Sequence, residues 1–144
     1  MNALIRNIDS VKPVGETERK ILDLLEAEDF IIAGRRDLQA YFSTSSHGIS
    51  DLYLSYQVYV PRIFHEIIRA FPEATLVPAT INIYTAIDGN LRVSVINTTE
   101  VILLGIQNDT IRNAMEELNR LLAKILSGIA APVNFIPDIE TSLE

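Results

Sequence analysis

Apolar and polar residues alternate from Leu52 to Val60: Leu52, Leu54, Tyr56, Val58 and Val60 fall on one side, and Tyr53, Ser55, Gln57 and Tyr59 on the other. A period of two marks a strand with one face on a core. The same alternation runs from Thr80 to Asn97 in two halves joined by Asp88-Gly89. That dipeptide is a hairpin signal, because a tight turn needs positive φ, which Gly and Asp tolerate. Ile81, Ile83, Leu91, Val93 and Val95 go with the Leu52 set, while Thr80, Asn82, Tyr84, Arg92, Ser94 and Ile96 point the other way.

Elsewhere the period becomes helical. After Pro13, Val14, Thr17, Ile21, Leu24 and Leu25 line one face of an otherwise charged segment. Between Pro61 and Pro72, Ile63, Phe64, Ile67, Ile68 and Phe71 do the same. A longer helix, capped by Asn108 or Asp109, repeats Ile111, Met115, Leu118, Leu122, Ile125 and Ile129. Glu116 and Arg120 form an i, i+4 pair on its outside, and Gly128 suits a left-handed end. Ala3 to Ile8 reads as a first strand ending at an Asp9-Ser10 turn, and Phe30 to about Arg36 as a second. Gln39 to Asp51 reads as a mostly irregular loop.

The order is therefore β-α-β-β-α-β-β-α. It predicts an α+β fold in which an antiparallel sheet carries helices on one face and a polar, tyrosine-bearing surface on the other. A length of 144 residues suits one domain over 1–129, with a C-terminal extension over 130–144. That tail holds Val133, Phe135, Ile136, Ile139 and Leu143, while Pro132 and Pro137 forbid one continuous helix. The expectation is an extended segment lying on its own subunit or a neighbour.

Composition narrows the function classes. A net charge of −7 with scattered Lys and Arg opposes phosphate backbones, so no nucleic-acid partner is expected. No apolar run is long enough to span a bilayer, and Met1 to Arg6 does not resemble a signal peptide. A cytoplasmic domain without a membrane partner is the expectation. The absence of cysteine excludes disulfides, thiol catalysis and thiolate metal sites.

Several of these segments resemble the domain of unknown function 302 family, over about Ala3 to Gly128. The acidic first helix leads into Asp29-Phe30. The Asp37-Leu38-Gln39 step follows, then Val58-Tyr59-Val60-Pro61 before a short helix. Leu76-Val77-Pro78 precedes Asn82-Ile83-Tyr84, and Leu103-Leu104-Gly105 precedes the last helix. The resemblance implies a sandwich similar to the TATA-box-binding-protein-like fold, often dimeric, with no activity to carry over. Many relatives have cysteines where this chain has Tyr59 and Ala79, so a thiol role is closed to it. The glycine usual after the first helix is Asp29, a residue that tolerates a left-handed cap.

No catalytic set, cofactor or metal site is expected. His47 lies in the Ser-rich loop near Asp51, but no G-x-S-x-G elbow exposes a serine. His65 lies among Arg62, Glu66 and Arg69 on a charged helix face. Neither H-x-x-x-H nor an EF-hand loop occurs, and no glycine-rich phosphate loop. The open sheet face remains, with Tyr53, Gln57, Tyr59, Asn82, Tyr84 and Arg92 as its candidate binding residues. The leading expectation is a non-catalytic, self-associating domain, a dimer in preference to other homo-oligomers, that binds a small ligand or protein partner through this face. The 48% hydrophobic content and the apolar run Val101-Ile102-Leu103-Leu104 favour self-association. The rival reading is a small enzyme with its site under the Ser43–Asp51 loop, where Ser45, His47 and Asp51 cover Tyr53, Tyr59 and Tyr84. Through the resemblance, that reading carries a link to sulfur metabolism.

Overall fold

The computed structural model describes residues 5–39, 52–73, 77–103 and 105–129. Their order is β1 (Ile5–Ser10), α1 (Val14–Ala27), β2 (Ile31–Asp37), β3 (Tyr53–Tyr59), α2 (Pro61–Ala70), β4 (Ala79–Thr85), β5 (Leu91–Ile96), α3 (Thr98–Ile102) and α4 (Asp109–Ile129). This is the expected α+β order with one addition, the single-turn helix α3. Its start is fixed by Asn97, whose side-chain oxygen accepts the Glu100 N–H at 3.2 Å.

The five strands form one sheet in the order β1-β5-β4-β3-β2, with every neighbouring pair antiparallel. Register follows the predicted alternation. Leu54 lies opposite Ile83 and Tyr56 opposite Ile81, while Ile81 and Ile83 lie opposite Val95 and Val93. These side chains are buried with Ile21 and Leu25 of α1, Ile63 and Ile67 of α2, and Leu118, Leu122 and Ile125 of α4. One face of the sheet thus packs on helices. The two periods interlock because a strand shows alternate residues to one side and a helix shows every third or fourth.

Several boundaries differ from the sequence reading. Asp9 and Ser10 are not a turn: they continue β1, opposite Arg92 and Leu91. The hairpin is longer than a two-residue turn. Ala86 N–H donates to Asn90 O at 2.8 Å, and only Gly89, at φ 88°, takes a positive φ. Asn108, not Asp109, caps α4, accepting the Ile111 N–H at 3.0 Å. On that helix the ion partner of Arg120 is Glu117, at 3.7 Å, and Glu117 also meets Arg62 at 2.6 Å. Ile68, read as part of the α2 apolar face, is 45% exposed.

Two helix ends show how local chemistry sets the path. At the end of α1, Asp29 takes φ 61°. Phe30 N–H donates to Leu25 O at 2.9 Å and Asp29 N–H to Glu26 O at 3.2 Å. These crossed bonds form a Schellman ending, which satisfies carbonyls the helix leaves open and turns Phe30 into the core. Gly128 is not a left-handed cap; it lies within α4. A Cβ there would lie 2.6 Å from Leu24 Cδ1, so the missing side chain admits α1 against α4.

The sheet is unevenly covered. Ile8, Asp9 and Ser10 of the edge strand β1 are buried, whereas six of the seven residues of the opposite edge, β2, are exposed. Its helix-facing side is tied to α1 through Arg35, whose Nε donates to Glu18 Oε2 at 2.9 Å and to Tyr56 Oη at 3.0 Å. Tyr56 Oη in turn donates to Glu18.

Candidate functional site

The face opposite the helices is built in rows, because directly paired antiparallel residues project to the same side. One row runs Asp9, Arg92, Tyr84, Tyr53 across four strands. The next crosses all five as Asn7, Ser94, Asn82, Ser55, Arg36. A third runs Ile96, Thr80, Gln57, Gly34. Ser55, Asn82 and Ser94 in the middle row are buried although they carry hydroxyl and amide groups. These short side chains lie beside Tyr53, Tyr84 and Arg92 in one adjoining row and Gln57, Thr80 and Ile96 in the other, so the centre of the face is polar.

The row of Tyr53, Tyr84 and Arg92 forms an aromatic wall. Tyr53 and Tyr84 stack with ring centroids 5.5 Å apart and planes 24° from parallel. Beside them, Arg92 Nε donates to Asp9 Oδ1 at 2.9 Å and Nη2 to Asp88 Oδ2 at 3.2 Å. Asn90 Nδ2 donates to the other Asp9 oxygen at 3.4 Å. The hydrogen bond to Asp9 raises the Arg92 guanidinium above its ordinary pKa; burial opposes this, and the Asp9 and Asp88 charges reinforce it. Arg92 is therefore a fixed, charge-compensated support for the wall.

The floor is satisfied by weaker contacts. Asn82 Nδ2 donates to Ser94 Oγ at 3.4 Å, and Gln57 Nε2 donates to Ser55 Oγ at 3.1 Å. Gly34 leaves room for Gln57, because a Cβ there would lie 3.0 Å from Gln57 Oε1. Such a surface presents hydroxyl and amide donors and acceptors beside an aromatic wall.

Five of the six candidate residues, Tyr53, Gln57, Asn82, Tyr84 and Arg92, meet in these rows. Tyr59 is set apart. Its position opposite Ile31 follows the alternation, but its ring stacks on Phe64 of α2, with centroids 5.4 Å apart. The reason is local: Pro61 starts α2 two residues after Tyr59 and brings Phe64 back over the strand end. Asp9, Ser55 and Ser94 join the site. Ser55 and Ser94 were legible from strand parity, and Asp9 would have been had β1 been extended past Ile8.

Ser45, His47 and Asp51 lie outside the described residues, as does the tail over 130–144. His65 is exposed on α2. Among the described residues, no group of three His, Asp or Glu side chains is placed to hold a metal ion, and no helix is long and apolar enough to cross a membrane.

The family model described as "Domain of unknown function DUF302" matches residues 6–129. The chain belongs to the DUF302 family. Its fold is similar to the crystal structure of an uncharacterized conserved DUF302 protein from Bacillus stearothermophilus. The TM-score is 0.75 at 12% identity, covering 87% of this chain and 97% of that one. No curated protein matches. The DUF302 match ends where α4 ends, so it includes every strand of the rows described above.

Proposed function

We propose that this DUF302 domain is a non-catalytic, self-associating binding domain that takes a small polar ligand on its open sheet face. The observation that carries this reading is the Tyr53–Tyr84 stack standing beside the buried Ser55, Asn82 and Ser94 row. Solvation alone calls for Lys, Glu and Thr; paired tyrosines over buried hydrogen-bonding groups offer contact area and orientation at low entropy cost. Because Arg92 is compensated by Asp9 and Asp88, the wall has no net positive charge to spend on an anion. The fitting ligand is uncharged, with one flat face and several hydroxyl or amide groups. The cytoplasm is the compartment this reading proposes, and the exposed Val101, Ile102 and Ile106 favour a second copy in the assembly.

Native mass spectrometry of freshly purified full-length protein tests the reading. A retained small molecule that disappears in the Tyr53→Ala, Tyr84→Ala double variant, with far-UV circular dichroism unchanged, is the expected result. A captured protein partner in place of a small molecule would replace the ligand class. Identical spectra for wild type and double variant would remove the open face as the binding surface.

A further inference from the structure

We propose that the exposed edge of β2 is covered by this chain's own C-terminal extension, with residues 133–140 running parallel to the strand. This goes beyond the binding reading above and does not depend on it. The two edges of the sheet are unlike. β1 is buried at Ile8, Asp9 and Ser10, whereas Ile31 and Ile32 of β2 are 46% and 41% exposed. An edge strand with apolar residues offers backbone donors and acceptors as well as side-chain area to a covering segment. Beside it lies an open depression of about 490 Å³ floored by Leu22, Phe30, Ile31 and Ile32 and rimmed by Glu26 and Asp29.

Position and length choose the occupant. Ile129 borders a small cavity with Thr17 and Lys20 of α1, and the Gly128 backbone abuts Leu24. Leu22 and Glu26 turn to another flank of the same helix, the one beside β2. From Lys20 to Glu26 the helix rises about 9 Å, and with its side chains it is about 10 Å across. An extended chain advances about 3.3 Å per residue, so the positions from 133 to 136 reach about 13–23 Å from Ile129. Val133, Phe135 and Ile136 hold those positions.

The order of apolar and charged residues chooses the direction. Residues 130–137 carry no charge, and Asp138 and Glu140 follow them. β2 has the matching order, with Ile31 and Ile32 first and Arg35 and Arg36 after. Run parallel, the uncharged stretch passes the acidic rim and the two carboxylates come alongside the arginines. Run antiparallel, the carboxylates would meet Glu26 and Asp29. Arg35 is already held by Glu18, whereas among the described residues Arg36 has no ion partner. Asp37 also ends β2, but pairing with Leu54 sets it on the helix-facing side, while Arg36, opposite Ser55, is on the open side. The Asp37 carboxylate is further occupied, accepting the Gln39 N–H at 3.1 Å. Pro137 lacks an N–H for the ladder, which an outermost strand tolerates.

Because the chain has no cysteine, Ile32→Cys with Ile136→Cys introduces a single thiol pair. Mild oxidation of the full chain at low micromolar concentration, read by non-reducing electrophoresis and mass spectrometry, is expected to close an internal disulfide. Val11→Cys with Ile136→Cys is the comparison. Val11 is 70% exposed, and its neighbours Ser10 and Lys12 border the same small cavity as Ile129, so a tail merely within reach would find it as readily as Ile32. The Ile32 pair should close several-fold faster; equal rates overturn the docking. A disulfide between two chains overturns the choice of the chain's own extension and gives the edge to a second copy. Asp138→Lys with Glu140→Lys, added to the Ile32 pair, should slow closure several-fold, and an unchanged rate overturns the charge match that set the parallel direction.

Discussion

A Cβ on Gly128 would stand 2.6 Å from Leu24 Cδ1, so α4 and α1 approach each other through a space that only a glycine leaves open. A glycine inside a helix costs about 1 kcal/mol relative to alanine. Overpacking costs about 1–3 kcal/mol. Gly128→Ala should therefore range from neutral to a net loss of about 2 kcal/mol in the native background, and gain about 1 kcal/mol once Leu24→Ala removes the obstruction. Urea denaturation of the four members of this cycle measures the coupling; additive effects would mean that Leu24 turns aside at no cost.

Asp29 holds the left-handed position of the α1 ending at φ 61°. Only Gly takes that conformation without a Cβ penalty, and Asp is among the more tolerant of the rest. Asp29→Gly should raise stability by about 0.5 kcal/mol, the strain relief being offset in part by the greater freedom of glycine in the unfolded chain. A lower midpoint in urea would show that the Asp29 side chain contributes more than its conformation costs.

Tyr56 serves both packing and hydrogen bonding. The residue is 3% exposed, and its hydroxyl joins Glu18 and Arg35. Tyr56→Ala should cost about 3–5 kcal/mol through the cavity it leaves. Tyr56→Phe should cost about 1 kcal/mol, since it removes hydrogen bonds but leaves the Glu18–Arg35 pair. Equal losses for the two variants would place the contribution of Tyr56 in its hydroxyl and not in its packing.

Glu18 gives that cluster a pH dependence. Burial pushes its carboxyl pKa up, but hydrogen bonds from Tyr56 and Arg35, together with the Arg35 charge, outweigh this and hold it below the ordinary value of 4.5. A depressed carboxylate pKa means that the folded state binds the proton less readily than the unfolded chain. The stabilisation is therefore complete above the ordinary value and lost as pH falls through the folded one. Chemical denaturation of wild type and Glu18→Gln between pH 7 and pH 3 should show a gap that is constant near neutrality and closes on the acid side. A gap independent of pH would remove Glu18 from the acid limb.

Arg92 supports Asp9, whose side chain is 11% exposed. Removing the guanidinium leaves a nearly buried carboxylate with a single long contact from Asn90. Arg92→Ala should cost about 2 kcal/mol, less than a fully buried pair because Arg92 keeps 23% of its side-chain exposure. The Asp9→Ala, Arg92→Ala double variant should recover part of that loss in thermal denaturation. A double variant less stable than the single would show that the Asp9 carboxylate, held by Asn90 alone, still stabilises the fold.

The alternation of Leu54, Tyr56 and Val58, and of Ile81, Ile83, Val93 and Val95, determined the strands, their inward faces and the α+β class. Parity along a strand is a property of the backbone itself, so it survives in one dimension. The same parity puts Tyr53, Gln57, Asn82, Tyr84 and Arg92 together on the outward face. It could not place Asp9 against Arg92, because two residues separated by 83 positions meet only when β1 finds β5. Nor could it turn Tyr59 onto Phe64, which depends on how closely α2 follows β3. Gly128 is the plainest case. A glycine near a helix end reads locally as a cap, and only the approach of a second helix, carrying Leu24, makes its missing side chain a matter of packing.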